Sequence, residues 1–396
     1  MSTEPEQVRA RVPLATIARE WGRIGCIGFG GPPTHIALLR RLCVERRGWL
    51  GAAEFEDGIA ATNLLPGPAS TQLAIFTAWR LRGVAGALVG GCCFIVPGLL
   101  VILALAALFL AGSPPLWVRG AAAGAGAAVA AVAVQAAGTL VPASWQRAGG
   151  ERAARARWLG YAAVGAAAAA AVGPWLVLVL VLAGVTEAVI RTQSAAAGPG
   201  AGAGDRLRSL PLASAGLAAS GGLLAVAWVA LKVGALSYGG GFVIIPLTQA
   251  DAVDHYHWMT SGQFLNAVAL GQITPGPVVQ TVAVVGYAAA GVPGGLLAAA
   301  VAFAPSFLFV ILGGPRFAAL RASARVQGFF TGAAPAVIGA IAGSAVPLAL
   351  ALQHGWQYAV LAAAALWLLA GRRGVVGALL GAGGGGVLVA LAGGAV

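Results

Sequence analysis

The chain has 396 residues, of which 59% are hydrophobic and 9% are charged, and its mean hydropathy is +0.87. A water-soluble domain carries about 25% charged residues, so this chain cannot cover a water-facing surface, and a soluble enzyme is excluded. The net charge of +12 comes from basic residues in short clusters between apolar stretches, which is typical of membrane-protein loops and not of a nucleic-acid-binding surface.

Apolar segments of about 20 residues recur along the chain, which is the length that an α-helix needs to span a bilayer. The sequence shows no alternating segments of about ten residues, the pattern of transmembrane β-strands. The 60 glycines suit the close packing of helices in a membrane. The composition therefore predicts an all-α polytopic membrane protein.

The sequence repeats itself with an offset of 209 residues and no gap. The aligned positions include Arg23 with Lys232, Trp49 with Trp258, Phe55 with Phe264, and Pro66-Gly67-Pro68 with Pro275-Gly276-Pro277. The abundance of glycine and alanine does not explain two tryptophans and a Pro-Gly-Pro in one register. We predict a first repeat over residues 1–191, a Gly/Ala-rich linker over 192–209 and a second repeat over 210–396.

Corresponding loops of the two repeats carry opposite charges. The arginines of the first loop are Arg40, Arg41, Arg46 and Arg47, and the second loop has Asp251, Asp254, His255 and His257 but no lysine or arginine. Because basic loops remain in the cytoplasm, the first loop is predicted inside and the second outside. The two repeats are therefore predicted to have inverted topology, as in secondary transporters.

The first Pro-Gly-Pro lies at the centre of segment 51–79, which is too short for two full crossings. Arginines flank this segment on both sides, so both of its ends are expected on the cytoplasmic side. We interpret 51–79 and its counterpart 260–290 as re-entrant hairpins of two half-helices that turn at Pro-Gly-Pro. A single kinked crossing is the alternative.

The other apolar segments are assigned as full crossings, five in each repeat and about ten in all. The predicted crossings are 14–39, 83–111, 116–143, 158–172 and 174–190, then 210–238, 293–313, 328–350, 356–370 and 374–395. This topology leaves Arg9, Arg11, Arg19 and Arg23 outside or buried, against the rule that the other basic residues follow. A cytoplasmic amphipathic N-terminal helix is the alternative at this end.

The glycine- and proline-rich breaks in the predicted helices are candidates for an anion site. A helix that starts inside the membrane presents unpaired N–H groups and the positive end of its dipole, which together bind anions. The candidate ligands at the breaks are Gly30, Gly31, His35, Asn63, Pro66, Gly67, Pro68, Ser70, Thr71 and Gln72, with Gly239, Gly240, Gln272, Thr274, Pro275, Gly276, Pro277, Gln280 and Thr281 in the second repeat. The alternative is that these breaks only bend buried helices.

The repeat also aligns two basic residues, Arg23 and Lys232, within apolar segments. Lys232 is the only lysine of the chain. A charged side chain inside a membrane is costly and is treated as functional by default. We predict that this pair lies near the pseudo-two-fold axis and attracts an anion; snorkelling of the two side chains to the membrane surface is the alternative.

No motif in the sequence predicts a cofactor, a metal site or catalysis. His255 and His257 have a metal-like spacing but lie in a loop, and the twelve acidic residues are mostly in loops. Glu54, Glu56 and Asp57 are expected to cap the first hairpin or pair with arginines, with proton relay as the alternative. We therefore expect a transporter and not an enzyme.

Several motifs resemble those of the chromate ion transporter family. They are Phe29-Gly30-Gly31-Pro32, the Trp49 loop, Asn63-Leu64-Leu65-Pro66-Gly67-Pro68, Tyr238-Gly239-Gly240-Gly241 and Gly271-Gln272-Ile273-Thr274-Pro275-Gly276-Pro277. The two-repeat organisation is similar to the long form of that family, in which two such domains are fused. The resemblance implies a multi-pass protein of the bacterial inner membrane that exports chromate and gives chromate resistance.

The residues themselves indicate only a transporter suited to anions. A sulfate or other oxyanion transporter or exchanger of the same architecture is the main alternative, and an anion channel or a membrane-embedded enzyme fits the sequence less well. The expected partners are the oxyanion, the lipid bilayer and a coupled proton or counter-anion, with no nucleic acid; a homodimer is compatible with the sequence.

Overall fold

The computed structural model describes residues 12–62, 65, 67–110, 114–171, 176–196, 222–237, 244–313 and 323–396. These residues form α-helices with short π-helical and 3-10 turns and contain no β-strand. Five helical segments are long and apolar enough to span a membrane. The prediction of an all-α polytopic membrane protein is therefore confirmed.

The helices of the first repeat are α1 (Leu14–Ile27), α2 (Pro32–Arg40), α3 (Ala52–Thr62), α4 (Ala69–Phe109), α5 (Leu116–Ala148), α6 (Arg152–Ala171) and α7 (Leu176–Ala196). Those of the second are α8 (Leu223–Leu236), α9 (Ile244–Gln249), α10 (Ser261–Ile273), α11 (Thr281–Gly313), α12 (Ala324–Leu350), α13 (Gly355–Ala365) and α14 (Val375–Leu391). The helices α2, α9 and α13 continue as π-helical turns over Arg41–Arg46, Ala250–His255 and Leu366–Ala370.

The backbone repeats with the offset seen in the sequence. The helices α1 and α8 have matching bounds, and so do the π-helical turns that follow α2 and α9. The long helices α4 and α11 are each interrupted once, at Arg82-Gly83 and at Ala290-Gly291. The interrupting glycines have φ angles of +61° and +62°, a left-handed conformation that glycine adopts at low cost. Each interruption turns the chain back on itself.

The first two helices form a hairpin, where the sequence predicted one crossing over 14–39. Arg47, after the π-helical turn, donates to Glu20 on α1 at 2.6 Å, and Trp21 stacks on Trp49 with ring centroids 6.3 Å apart. Both contacts require that the two arms lie side by side. The chain reverses between them at Gly30 and Gly31, whose φ angles are +97° and +76°. Residues 14–39 are apolar along the length of one crossing, as predicted, but the chain reverses in the middle of this segment and does not cross the membrane once from end to end.

The start of α1 therefore lies on the same side as the Arg82-Gly83 turn. Gly22 and Gly25 of α1 pack on the backbone of Cys93 and Phe94, while Ile17 lies farther back along α4, near Gly90. The helix α1 thus runs parallel to the second part of α4, starting from the same face. Arg19, in the first half of α1, therefore lies toward the arginine-rich face, which favours the alternative of a cytoplasmic N-terminal helix. Arg9 and Arg11 lie outside the described residues.

The second repeat contains the matching hairpin. Lys232 of α8 donates to Asp251 of the π-helical turn after α9 at 2.6 Å, so these two arms also lie side by side. The sequence predicted one crossing over 210–238. The described part of this segment is α8, which forms one arm of the hairpin. Residues 210–221 and 238 of that prediction lie outside the described residues.

The segment around the first Pro-Gly-Pro is a hairpin of two short helices, as expected. Arg80 donates to Glu54 at 2.6 Å, and Gly58 of α3 packs on the ring of Phe76 in α4. A single kinked crossing would place Glu54 and Arg80 on opposite faces of the protein. Both ends of this hairpin instead lie on one face, and its tip is inside the bundle.

The second repeat is inverted relative to the first. Gly91 of α4 lies against Phe307 of α11, whereas Leu103, farther toward the C-terminal end of α4, lies against Gly295, which is earlier in α11. The second parts of α4 and α11 are therefore antiparallel, and the turns that precede them lie on opposite faces. The pairs α5–α14 and α6–α12 pack in directions consistent with this inversion.

The charges separate between the two faces. The arginine-rich face carries Arg40, Arg41, Arg46, Arg47, Arg80, Arg82, Arg147, Arg152, Arg155, Arg157, Arg191, Arg325, Arg372 and Arg373 at its helix ends. The opposite face carries Asp251, Asp254, His255, His257, His354 and Arg119. This is the distribution that the positive-inside rule predicts for a protein with its arginine-rich face in the cytoplasm.

Cysteine labelling tests the N-terminal hairpin. In a variant without the four native cysteines, we expect Ala15→Cys and Glu45→Cys to react with an impermeant maleimide from one side of the membrane. Gln353→Cys should react from the other side, because it lies at the opposite face. All three positions are exposed. Reaction of Ala15→Cys and Gln353→Cys from the same side would restore the crossing at 14–39 and contradict the hairpin.

Candidate anion-binding site

The two repeats are joined at the centre of the bundle by exchanged backbone hydrogen bonds. The N–H of Gly67 donates to the carbonyl of Ser237 at 2.6 Å, and the N–H of Gly276 donates to the carbonyl of Gly28 at 3.0 Å. The two bonds are related by the 209-residue offset. Each Pro-Gly-Pro turn thus binds the end of the first helix of the other repeat, at the break that follows it.

Both turn glycines have backbone conformations that other residues rarely adopt. Their φ angles are +120° for Gly67 and +98° for Gly276. A Cβ atom at Gly67 would overlap the amide of Gln72 and lie 3.2 Å from the hydroxyl of Ser306 on α11. On α4, a Cβ atom at Gly98 would overlap the carbonyl of Pro275 in the other turn. The tips are therefore held close to the long helices.

Polar side chains surround the two turns and are shielded from solvent. They are Ser70, Thr71, Gln72, Gln272, Thr274, Gln280, Thr281, Ser237 and Ser306, and each is at most 7% exposed. We call this set, with His35, the central polar cluster. The sequence predicted seven of these nine residues, and the structure brings both repeats' contributions to the same region.

Atoms of the cluster that lack a hydrogen-bond partner within the described part of the chain include the Thr71 and Ser306 hydroxyl oxygens, Nε2 of Gln272 and Oε1 of Gln280. Buried polar atoms are almost always satisfied, so atoms without a protein partner point to water or a bound ion. The two hydroxyls and the Gln272 amide can donate to an oxyanion, which only accepts.

The Gln280 side chain has a different role. Its Nε2 donates to the carbonyl of Ile95 at 2.8 Å, which fixes the amide with Oε1 as the remaining acceptor. An acceptor repels an oxyanion at close range, so Gln280 is suited to water or to cross-linking the turn to α4. The predicted ligand Gln280 therefore lies at the site, but it presents an acceptor and not the donor that an oxyanion requires.

Helix starts reinforce the donors. The helix α4 begins directly after Pro68, and a 3-10 turn over Val278–Gln280 leading into α11 begins directly after Pro277. Pro68 and Pro277 are the N-cap residues, so the N–H groups of the first turn follow each of them directly. The positive dipole ends of both helices therefore lie at the turns, where they stabilise negative charge.

His35 connects the start of α4 to the second Pro-Gly-Pro turn. It is fully buried on α2, with Nε2 at 2.8 Å from the carbonyl of Gly28 and Nδ1 at 3.2 Å from the hydroxyl of Ser70. The Gly28 carbonyl also accepts the N–H of Gly276. The imidazole ring packs against Phe94 in a T-shaped arrangement, with ring centroids 5.0 Å apart.

The basic pair of the sequence analysis lies outside the cluster. Lys232 binds Asp251 and lies 5.8 Å from the ring centroid of Trp228, about one and a half helical turns before Ser237. Arg23 is exposed on α1 and has no polar partner among the described residues. The charge of Lys232 is thus already compensated by a carboxylate.

Four predicted ligands, Asn63, Pro66, Gly239 and Gly240, lie outside the described residues. Two residues of the cluster, Ser237 and Ser306, were missed by the sequence analysis. A signal existed for Ser306, because it is a polar residue within the apolar segment 293–313 and directly follows Pro305. Its repeat counterpart is Pro97, so the repeat alignment gave no support.

A cavity of about 140 Å³ leads from the arginine-rich face to the first turn. Its lining includes Thr62 and Gly67 at the turn, and Ser144 and Arg147 at the end of α5. A second cavity of about 180 Å³ lies toward the opposite face and is lined by Arg119, Asn266 and Gln357, among others. Neither turn residue Gly67 nor Gly276 lines this second cavity.

Two inverted helical repeats with broken helices meeting at the centre define the class of secondary-transporter-like membrane proteins. The chain belongs to the chromate transporter family. The family model matches residues 15–187 and again residues 224–389, two segments whose starts differ by the repeat offset.

Curated relatives cover most of the chain. A chromate transport protein of Cupriavidus metallidurans is 33% identical over 83% of this chain and 80% of the relative. A chromate transport protein of Pseudomonas aeruginosa is 31% identical over 83% of this chain and 79% of the relative. A probable chromate transport protein of Synechococcus elongatus is 28% identical over 85% and 84%. No solved structure matches the chain.

Charge-pair variants test the role of Lys232. If Lys232 serves as the counter-ion of Asp251, Lys232→Met and Asp251→Asn should each lower the folded amount in the membrane, because each leaves one buried charge, at a cost of about 3–5 kcal/mol. The double variant should recover most of the folded amount and the transport. A double variant that folds but does not transport would instead show that Lys232 binds the anion.

Hydroxyl deletions test the unpartnered donors. Thr71→Val and Ser306→Ala should each raise the KM for the transported oxyanion by roughly tenfold, since a hydrogen bond to a charged group contributes about 1.5–3 kcal/mol. The matched controls are Thr77→Val and Ser344→Ala, buried residues whose hydroxyls donate to Leu73 and Ile341 carbonyls. Equal effects in variants and controls would indicate general destabilisation and contradict the site.

Proposed function

We propose that this protein is a secondary transporter that exports chromate across the bacterial inner membrane. The observation that carries the proposal is the set of unpartnered donors where the two inverted repeats meet. Membership of the chromate transporter family and the names of the curated relatives support chromate as substrate. The proposal requires no cofactor and no chemical step, so the protein acts as a transporter and not as an enzyme.

In this proposal the anion is held by neutral groups and helix dipoles. The hydroxyls of Thr71 and Ser306 and the amide of Gln272 donate to the tetrahedral anion. The helix starts after Pro68 and Pro277 supply positive dipole ends without adding net charge. A site without a permanent cation binds the anion more weakly, which suits release on the far side of the membrane.

The cavities support an inward-facing conformation. The positive-inside rule places the arginine-rich face in the cytoplasm. The cavity on that face reaches Gly67 at the first turn, whereas the cavity on the opposite face is not lined by either turn glycine. Arg147 at the cytoplasmic cavity attracts anions toward it. Exchange of the two repeats' conformations would close this path and open the other, as inverted repeats allow.

The membrane potential favours export of an anion. With the inside negative, each negative charge that leaves gains about 2.3 kcal/mol per 100 mV, so a dianion gains about 4.6 kcal/mol. No energy source beyond the potential is needed for net export. Coupling to a proton or a counter-anion would change the number of charges moved in each cycle.

Sulfate is the second candidate substrate. The unpartnered hydroxyl and amide donors are not specific for one tetrahedral dianion. Chromate and sulfate have the same charge and shape, so these donors do not separate them. Competition between the two anions in the same flux assay distinguishes a chromate exporter from a general oxyanion transporter.

Flux through proteoliposomes tests the proposal. We expect chromate flux that saturates with concentration and increases when the potential drives anions out of the compartment. Gly67→Ala and Gly276→Ala should abolish most of this flux, because both glycines have left-handed backbones and Gly67 has no room for a Cβ. The control Gly160→Ala, at an open position on α6, should retain it. Flux that never saturates would favour a channel.

A further inference from the structure

We propose that His35 binds a proton together with the anion, so that protonation of its Nδ1 atom tightens anion binding. This inference rests on the proposed function, because it concerns the same central site. It goes beyond the prediction of His35 as one ligand of the anion site. The observations that carry it are the two hydrogen bonds of the ring, its complete burial and the position of Ser70 beside unpartnered Thr71.

The hydrogen bonds fix the tautomer of the neutral ring. A carbonyl oxygen only accepts, so Nε2 must carry hydrogen to bond with Gly28. The lone pair of the neutral ring is then on Nδ1, which accepts the hydroxyl hydrogen of Ser70. In this state the Ser70 hydroxyl is occupied as a donor and offers only lone pairs to its surroundings, which repel an oxyanion.

Protonation reverses this bond. One proton from water binds to the Nδ1 lone pair, and the ring gains one positive charge. Nδ1–H then donates to Ser70, so the Ser70 hydroxyl accepts and its hydrogen turns away from the ring. Ser70 lies in the first turn of α4 directly before Thr71, whose hydroxyl has no partner among the described residues. Protonation thus adds a charge and a donor at the site in one step.

No described charged group competes for this role. The groups recorded against the ring are the Gly28 carbonyl at the end of α1, and Ser70 and Phe94 of α4. The other titratable residues of these helices are Arg40 on α2, with Arg19, Glu20, Arg23 and Cys26 on α1, and Arg80, Arg82, Cys92 and Cys93 on α4. Glu20 is paired with Arg47. An anion is therefore the natural counter-ion of a charged His35.

The position of His35 also lets the proton affect both repeats. The partner of Nδ1 is Ser70 of α4, in the hairpin formed by α3 and α4. The partner of Nε2 is the Gly28 carbonyl, which also accepts the N–H of Gly276 in the second Pro-Gly-Pro turn. A charged ring strengthens the bond to Gly28 because charge-assisted hydrogen bonds are stronger than neutral ones. The repeat counterpart of His35 is Ile244, so the aligned position of the second repeat cannot bind a proton.

Calorimetry on the purified protein tests the inference without a transport assay. Chromate and sulfate are titrated between about pH 5.5 and 8 in two buffers of different ionisation enthalpy. Sulfate stays a dianion over this range, so its binding does not change through its own titration. We expect the Kd for sulfate to fall by about fivefold or more toward acid pH, with net proton uptake on binding; chromate, which itself takes up a proton in this range, serves only to show that the same site binds it.

His35→Gln is the informative variant because its amide N–H can keep a donor near the Nε2 position while it cannot titrate. We expect it to bind sulfate with a Kd that does not change with pH and without proton uptake. His255→Gln, on the opposite face and exposed, should match the unchanged protein. His35→Ala, which loses the Gly28 bond as well, should lower the amount of folded protein, unlike His35→Gln.

Three outcomes separate the hypotheses. Loss of pH dependence and of proton uptake in His35→Gln alone supports the inference. Equal pH dependence and proton uptake in His35→Gln and in the unchanged protein overturn it and leave the proposed function intact. Absence of oxyanion binding at every pH, for a protein that is folded and in detergent or lipid, contradicts the proposed function and the inference together.

Discussion

Everything at the centre of this protein follows from one constraint: backbone N–H and C=O groups inside a membrane must be satisfied by the protein itself. Helix breaks inside the bundle create such groups. The structure satisfies them by exchange, because Gly67 binds Ser237 and Gly276 binds Gly28 across the repeat interface. The two repeats therefore complete each other's broken ends. Donors that this exchange does not use, as on Thr71 and Ser306, remain for a ligand.

The ion pairs show how topology and stability are linked. Each repeat ties its first helix to the π-helical turn or loop that follows its second, but with reversed polarity. In the first repeat the helix carries Glu20 and the loop carries Arg47; in the second the helix carries Lys232 and the turn carries Asp251. Loop charge is set by the side of the membrane, and the helix residue supplies the opposite charge. This gives Lys232 a structural reason to be basic.

The sequence was sufficient to predict the inverted repeat, the Pro-Gly-Pro hairpins and most of the polar cluster. These features depend on glycine- and proline-rich motifs that recur at matching positions of the two repeats. It was not sufficient for the hairpin of α1 and α2. Residues 14–39 have the apolar length of one crossing, and only the left-handed conformations at Gly30 and Gly31 reverse the chain. Partners distant in sequence, such as Gly28 for Gly276, depend on packing that no local pattern records.

The scaffold is symmetric, but the lining of the site is not. Thr71 corresponds to Gln280, Ser306 to Pro97, and His35 to Ile244. A symmetric frame suits alternating access, since each hairpin can take the conformation of the other. A symmetric lining would place two equal half-sites across the axis. The observed differences instead give one repeat the titratable ring and the other the amide that anchors a turn to α4. The asymmetry of the lining therefore sits on a frame whose backbone remains symmetric.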